Sequence, residues 1–323
     1  MILTAREDGA LERKLAEMRG SMDGAGLIVD HVQDAQRLPG SAEHFGFQDG
    51  FSQPSVAGGT APRVGEGTRT RWRHWRQLAI GEFVLGYRDE GGWPPPAPLG
   101  PLADDSSFVA VRKLEQDVAA FRAYTRDTAN TLGRDPLWLS AKMVGRWQNG
   151  SALARHPDAP GPSAAADPEA SRFRYGEDPA GIACPLGAHV RRANPRDALG
   201  WEGRLTQRHR IIRRGMSYGR PLAPGSTVDD GVPRGLMFVC YQGALERQFE
   251  FTQAQWLNDG NALGLGGDGD PVLGPDGASG EMVIQGKPPV FLKGLPGFVR
   301  TRGGGYYLLP GLTGLAAIAD GTC

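Results

Sequence analysis

The 323-residue sequence predicts an α+β fold with an antiparallel sheet, and three observations support this prediction. Short apolar strands and amphipathic helices do not alternate strictly, as they would in a doubly wound parallel sheet. The 48 glycines and 25 prolines, without a repeat, indicate many turns and long connections. A Pro-rich connector at 92–103 divides the chain into halves at 1–103 and 104–323.

The first half opens with a predicted strand at 1–5, a helix at 8–19 and a strand at 26–32. The helix is predicted because apolar residues recur at the spacing that places them on one face. A long irregular stretch follows. It includes the Gly/Thr/Arg-rich residues 58–77, whose end alternates arginine with tryptophan. Such a pattern can stack on bases, but we interpret it as a solvated loop with cation–π pairs.

The second half begins with a predicted strand at 108–112, an amphipathic helix at 114–128 and a helix at 136–145. Further apolar segments predict, in order, a strand edge at Ile211 and Ile212, a strand at 235–241, a helix at 245–257, a strand at 305–309 and a helix at 312–318. Residues 258–290 are rich in Gly, Asp and Pro and predict a long connection.

Composition excludes several classes of protein. Lysine plus arginine equal aspartate plus glutamate, at 36 each, so no overall charge favours nucleic acid or an anionic membrane. The three cysteines, Cys184, Cys240 and Cys323, fit neither a disulfide framework nor a zinc site. No apolar run is long enough to span a membrane, and the N-terminus has no signal-peptide pattern. We expect a cytoplasmic protein.

His189 follows a small turn and precedes three arginines, in the segment Cys-Pro-Leu-Gly-Ala-His-Val-Arg-Arg-Ala-Asn-Pro-Arg. An imidazole can bind haem iron, and arginines can bind the carboxylates of haem propionates. The alternative is a surface cluster in which Arg191, Arg192 and Arg196 pair with nearby carboxylates. The segment alone leaves both interpretations open.

Two other residues are candidates for chemistry. Asp49 lies among glycines and aromatic residues, where a carboxylate can be tuned as an acid or base; an Asx-turn before Gly50 is the simpler interpretation. Arg213 would be a fixed cation over a reacting anion, or an exposed charge at a strand edge. The residues by themselves indicate only an α+β protein that could be an enzyme.

Several segments together resemble the dye-decolourising (DyP-type) peroxidases. Residues 46–50, Gly-Phe-Gln-Asp-Gly, match the family's GxxDG motif. The segments at 188–196 and 212–219 resemble those that carry the family's proximal histidine and distal arginine, and 247–251 and 303–307 also resemble family segments. These motifs occur in the family's order from about residue 43 to the C-terminus.

The resemblance implies two ferredoxin-like halves, arranged as in dimeric α+β barrels, with one non-covalent haem b per chain in the second half. His189 would be the proximal iron ligand, Asp49 the distal acid/base and Arg213 the distal cation. Arg196 would reach a haem propionate. The acidic partner that usually accepts a hydrogen bond from the proximal histidine has two candidates here. Those two candidates are Asp270 and Glu281. Leu236 and Phe238 would line the peroxide pocket.

The implied function is reduction of hydrogen peroxide coupled to oxidation of dyes, phenolics or other organic donors. Haem handling, such as iron release, and non-catalytic haem binding are the alternatives; the presence of both Asp49 and Arg213 favours the peroxidase. We expect no nucleic acid or membrane partner, and the sequence allows a homo-oligomer. Family members carry more chain before GxxDG than the 45 residues found here, so we expect an incomplete N-terminal half.

Overall fold

The structure is a computed structural model that describes residues 1–60, 63–70, 74–274 and 280–322. It separates into two compact units, Met1–Asp34 and Ala35–Cys323. The division at residue 103 remains a prediction. Within the described ranges, none of the helices combines the length and the apolar character needed to cross a membrane.

The first unit consists of helix α1 (Asp8–Gly24) and irregular flanking segments. The predicted helix at 8–19 is confirmed, but the strands predicted at 1–5 and 26–32 are wrong. A strand needs a neighbour for its backbone hydrogen bonds, and in the described part of the chain these segments have no strand partner. The apolar run at 26–32 is also open to solvent, with Leu27 58% and Ile28 88% exposed.

The second unit contains the remaining elements. Its strands are β1 (Thr68–Arg69), β2 (Trp75–Arg76), β3 (Ser107–Gln116), β4 (Ile212–Arg213), β5 (Met216–Tyr218), β6 (Gly235–Gln242), β7 (Gly280–Ile284), β8 (Val290–Leu295) and β9 (Val299–Leu309). Its α-helices are α2 (Val118–Leu132), α3 (Pro136–Val144), α4 (His189–Ala193), α5 (Arg204–Gln207) and α6 (Leu312–Ala319). Two successive π-helical stretches, Glu246–Glu250 and Thr252–Leu257, form what we call the π segment.

The main sheet has the strand order β4-β6-β3-β9, with β5 also paired to β6, and every pairing in it is antiparallel. Along the chain, β3 is followed by α2, then β4 and β5, then β6, the π segment and β9. If β4 and β5 are counted as one strand, this is a βαββαβ unit with order 4-1-3-2. That topology is ferredoxin-like, so the predicted antiparallel α+β class is confirmed.

The helix predicted at 114–128 begins later than expected. Residues 114–116 belong to β3, where Leu114 pairs with Leu236, and α2 starts at Val118. The Asp117 carboxylate accepts a hydrogen bond from the Ala120 amide and caps the helix. Gly133 ends the helix in the left-handed conformation. The apolar spacing at residues 114–116 is compatible with either a strand or a helix, and the Asp117 cap sets the start of the helix.

Two hairpins lie in stretches expected to be connections. Strands β1 and β2 pair within 58–77. Strand β7 lies within the predicted connection at 258–290 and pairs with β8, which begins at its end. The first stretch is rich in Gly, Thr and Arg and the second in Gly, Asp and Pro, so neither shows a clear strand pattern. Met282, Leu292 and Leu295 of the second hairpin are nevertheless buried. The Arg/Trp-rich stretch includes residues 71–73, which lie outside the described residues.

An aromatic cluster connects α2 to the loop that carries Asp49. Phe45 stacks on Phe121 of α2 at 4.4 Å between ring centroids, and Phe121 meets Phe298 edge-on at 5.3 Å. Phe47 also contacts Phe121. All four rings are buried, and burial of each stabilises the fold by roughly 1.5–3 kcal/mol. Because Phe45 and Phe47 flank Gly46, the start of the Asp49 loop is anchored in the core.

Candidate active site

The Asp49 loop is shaped by its own hydrogen bonds. The partly buried Glu43 carboxylate accepts from the Phe45 and Phe47 amides, both at 2.9 Å. Burial raises the pKa of Glu43, although these hydrogen bonds oppose the shift. Gly50 has φ 94°, a backbone conformation that would be strained in a residue with a side chain. Its amide donates to the Asp49 carboxylate at 2.6 Å, and that side chain is 49% exposed.

Arg213 lies on β4 beside this loop. Its Nη2 donates to the Phe51 carbonyl at 2.8 Å, and its amide donates to the Gln53 side-chain oxygen at 3.0 Å. The Asp49 carboxylate is 3.8 Å from Arg213 Nη2, so the predicted acid/base and the predicted cation are neighbours. Nε of Arg213 is buried and has no partner among the described residues. A guanidinium with a free buried donor beside a half-exposed carboxylate suits the binding of an anionic or polar oxygen ligand.

His189 is the first residue of α4 and contacts a carboxylate. Its Nδ1 is 2.8 Å from Oδ2 of Asp270, a side chain with no exposed surface. Oδ1 of Asp270 accepts from the amides of Val272 and Leu273. Nδ1–H therefore donates to the carboxylate and leaves Nε2 as the lone-pair nitrogen. Of the two acidic candidates given by the sequence, Asp270 is thus the one in contact with His189, and Glu281 lies on β7.

The charges of this pair affect both pKa values. Burial lowers the pKa of His189, but the adjacent Asp270 carboxylate outweighs burial and the net shift is upward. Burial raises the pKa of Asp270, but the imidazole and two backbone amides outweigh it and the net shift is downward. The positive charge of Arg213 also lowers the pKa of His189, so these two side chains lie within electrostatic range of each other.

Arg191 and Arg192 are buried, so the interpretation as a surface cluster is wrong. Arg191 donates to the Asp178 carboxylate and to the Asp178 and Cys184 carbonyls. Arg192 donates to the carbonyls of Trp256, Leu257 and Asp268. Both guanidiniums therefore hold the backbone around His189.

Arg196 takes a left-handed backbone conformation, with φ 53°, and its side chain turns into the protein. Its Nη1 donates to three backbone carbonyls, and its Nη2 donates to the Ser52 hydroxyl at 3.1 Å. It stacks on Phe173 at 3.8 Å. A cleft adjoins it, and the cleft's charged lining is Arg69, Arg174, Arg196, Arg210, Asp197 and Glu202.

Three buried guanidiniums, those of Arg146, Arg196 and Arg210, cluster around the Asp49 loop. Burial, and repulsion between like charges, lower all three pKa values, to about 10 for Arg196 and about 9 for Arg210. In the described residues none of the three forms an ion pair with a carboxylate within 4.0 Å. An excess of buried positive charge favours an anionic group nearby, as the two propionates of a haem would supply.

Leu236 and Phe238 lie on β6 on the same face of the sheet as Arg213. Arg213 pairs directly with Cys240, and residues two apart on a strand point to one side. Both predicted pocket residues are only partly buried, and the Phe238 ring lies 6.1 Å from that of Phe249 in the π segment. The sheet therefore brings the apolar pair and the cation to one side.

Sequence reasoning missed several residues that build this site. Glu43 shapes the Asp49 loop, and Ser52, Arg146 and Arg210 hold its far end. Glu43 lies beside GxxDG, and a carboxylate preceding a glycine turn could have indicated a cap. No sequence signal marks Arg146 or Arg210, because their partners are distant in the chain.

Comparison with known proteins gives one consistent result. The family model described as "Dyp-type peroxidase, C-terminal" matches residues 100–264. The chain is 30% identical over 98% of its length to a dye-decolorizing peroxidase of Exidia glandulosa and covers 64% of that protein. It is 32% identical over 85% of its length to the multifunctional dye peroxidase of an Amycolatopsis species and covers 61% of that one.

A solved structure is similar over nearly the whole chain. The fungal DyP-type peroxidase of Auricularia auricula-judae is 28% identical, with a TM-score of 0.78 over 95% of this chain and 71% of that one. The chain spans a little over three fifths of the length of the two curated relatives.

Proposed function

The chain belongs to the family of DyP-type, or dye-decolourising, peroxidases, and from this we propose that it is a haem peroxidase. It reduces hydrogen peroxide and oxidises dyes, phenolics or other organic donors. The observation that carries the proposal is the 3.8 Å contact between Asp49 and Arg213, within electrostatic range of an imidazole whose Nδ1 is bonded to a buried carboxylate. A carrier of haem needs the imidazole but no acid/base beside a cation.

The residues present fit one non-covalent haem b per chain, a cofactor that binds to members of this family. Nε2 of His189 would ligate the iron, and Asp270 would fix its tautomer and raise its basicity. Arg196, in the cationic cluster, would interact with a haem propionate. Leu236 and Phe238 would line the side where peroxide binds. When bound, haem supplies the electrons that reduce the peroxide and the oxidising power that acts on donors.

The chain's own contribution is proton transfer and charge stabilisation. Asp49 accepts a proton from one peroxide oxygen and delivers it to the other, which leaves as water. General acid–base catalysis of this kind contributes about 10²- to 10⁴-fold to a rate. Arg213 stabilises the negative charge that develops as the oxygen–oxygen bond breaks, and removal of one such donor typically lowers a rate by about 10²- to 10³-fold. The 3.8 Å separation leaves room for both groups to address one small substrate.

The remaining assignments follow the same reasoning. Hydrogen peroxide and an organic reductant are the proposed partners, without nucleic acid or membrane, and a homo-oligomer is compatible with this chemistry. The buried, unpaired Cys184 and Cys240 suit the cytoplasm.

The test compares three purified variants after addition of haem. His189→Ala should lose the Soret absorption of the bound wild type, because it removes the imidazole that Asp270 orients. Asp49→Asn should retain haem but react with peroxide at least 100-fold more slowly in stopped-flow absorbance, because the acid/base is gone. Asp127→Asn, which removes an exposed aspartate on α2, is the matched control and should react as the wild type does.

Peroxide-dependent dye oxidation by the wild type separates a peroxidase from a non-catalytic haem protein. A wild type that binds haem but oxidises no dye contradicts the proposed activity. An Asp49→Asn variant that reacts as fast as the wild type contradicts the role of Asp49.

A further inference from the structure

The two residues after Gly50, Phe51 and Ser52, receive hydrogen bonds from four arginines. Arg213 donates to the Phe51 carbonyl and Arg210 to the Ser52 carbonyl, both at 2.8 Å. Arg146 and Arg196 donate to the Ser52 hydroxyl at 2.9 and 3.1 Å. These donors come from three separate parts of the chain, at residues 146, 196 and 210–213, and they meet at this loop.

The Ser52 hydroxyl uses its full hydrogen-bonding capacity. A hydroxyl can accept two hydrogen bonds and donate one. Because the two arginines occupy the acceptor positions, the hydroxyl hydrogen points to Ser171 Oγ at 3.0 Å. Ser171 in turn donates to the Glu66 carboxylate at 3.4 Å. The hydrogen bonds therefore run in one direction, from the buried guanidiniums through two serines to a carboxylate.

The backbone at Ser52 is strained. Its φ of 55° lies in the left-handed region, which residues with a side chain adopt only when their surroundings hold them there. Arg146, Arg196 and Arg210 are each more than nine-tenths buried. Loss of the hydroxyl would leave two buried N–H groups without their acceptor, and such groups are costly.

We propose that Ser52 is a positioning residue for Asp49. Its hydroxyl accepts hydrogen bonds from two buried guanidiniums and so fixes the loop that places the Asp49 carboxylate beside Arg213. This inference rests on the proposed function for its catalytic consequence, but not for its structural one. Asp49 lies three residues before Ser52, and its carboxylate meets Arg213, which also holds the Phe51 carbonyl. A loop released at Ser52 would let this 3.8 Å contact vary.

Hydrogen exchange on the haem-free protein tests the structural part. The amides of Gln48, Asp49 and Ser55 are hydrogen-bonded to Gln148, Ser41 and Glu66 and report on the loop. In Ser52→Ala they should exchange at least tenfold faster than in the wild type. Ser41→Ala is the control, because Ser41 has the same left-handed backbone, φ 58°, and within the described chain its hydroxyl accepts from the exposed Arg37 alone. Its exchange should stay within threefold.

Ser52→Gly separates the hydroxyl from backbone strain, and it relaxes the backbone if the alanine variant fails to fold. Loss of the hydroxyl should accelerate exchange tenfold in this variant too. Exchange within threefold of the wild type in either folded variant overturns the proposal.

The haem-loaded protein tests the catalytic part. At haem saturation, Ser52→Ala should react with peroxide at least tenfold more slowly while Ser41→Ala matches the wild type. An unchanged rate in Ser52→Ala, together with faster exchange, overturns the positioning role. If the wild type itself binds no haem, the proposed function fails, and the exchange result alone decides whether Ser52 holds the loop.

Discussion

At the scale of single residues, the pair of His189 and Asp270 sets the character of the proposed iron ligand. Asp270 is fully buried and has three hydrogen-bonding partners, the imidazole and the amides of Val272 and Leu273. Burial by itself would favour the neutral acid. The three partners reverse that preference and lower the pKa of Asp270, so the carboxylate can hold the imidazole tautomer that leaves Nε2 free.

We therefore expect Asp270→Asn to weaken haem binding by about 10- to 100-fold, the range found when such supporting carboxylates are removed. An asparagine can still accept from the backbone amides but carries no negative charge for the imidazole. The measurement is a Soret titration with haem. Glu281→Gln is the control, since Glu281 is the other acidic candidate and its side chain is exposed on β7. Equal haem affinity in Asp270→Asn and the wild type would contradict this role.

At the scale of elements, α4 has only five residues and depends on external contacts for its position. An isolated helix of this length is not stable in water. Arg191, 3% exposed, ties it to the preceding loop through Asp178 and the Cys184 carbonyl, and it stacks on Tyr175 at 4.5 Å. The Asp178 carboxylate also accepts from three backbone amides, those of Ile182, Ala183 and Cys184.

Arg191→Ala should lower the free energy of unfolding by roughly 3–5 kcal/mol, because removal of one partner leaves a buried charge without compensation. Urea denaturation followed by far-UV circular dichroism measures the change. Arg172→Ala is the control, because its ion pair with Glu169 is exposed, at 60% and 44%, and contributes below about 1 kcal/mol. A loss for Arg191→Ala no larger than that of the control would show that α4 is held by other contacts.

At the scale of the whole molecule, a buried charge network joins distant segments of the second unit. Glu82 and Asp89 share Arg247, at 2.9 Å from Glu82, and Arg208, at 3.0 Å from Asp89. Burial raises the pKa of Glu82 to about 7, against the attraction of Arg247. Burial also acts to raise the pKa of Asp89, but its bonds to Arg247 and the Gly91 amide lower it overall. The two carboxylates thus compete for the same cations.

The raised pKa of Glu82 predicts a pH dependence of stability. Between about pH 4.5 and 7 the Glu82 carboxyl is protonated in the folded state and ionised in the unfolded state. The contribution of Glu82 to the free energy of unfolding therefore falls as the pH rises. A shift of this size corresponds to about 3 kcal/mol. Denaturation of the wild type and Glu82→Gln at pH 5 and pH 8 should show the wild type losing about that much relative to the variant. A constant difference between the two proteins would contradict the shift.

The sequence by itself determined the class of the fold and the candidate residues, because these depend on local pattern. Apolar spacing predicted the helix at 8–19 and the elements around β3, β6 and β9, and the motif at 46–50 together with the histidine segment indicated the family. Only the tertiary structure decided which residues meet. Asp270 lies 81 residues from His189, and Ser52 lies 94 and 144 residues from Arg146 and Arg196. Such contacts arise from packing, which local spacing does not encode. Local spacing likewise does not show whether a strand has a partner. The apolar residues at 26–32 predicted a strand, but in the described chain they have no strand partner.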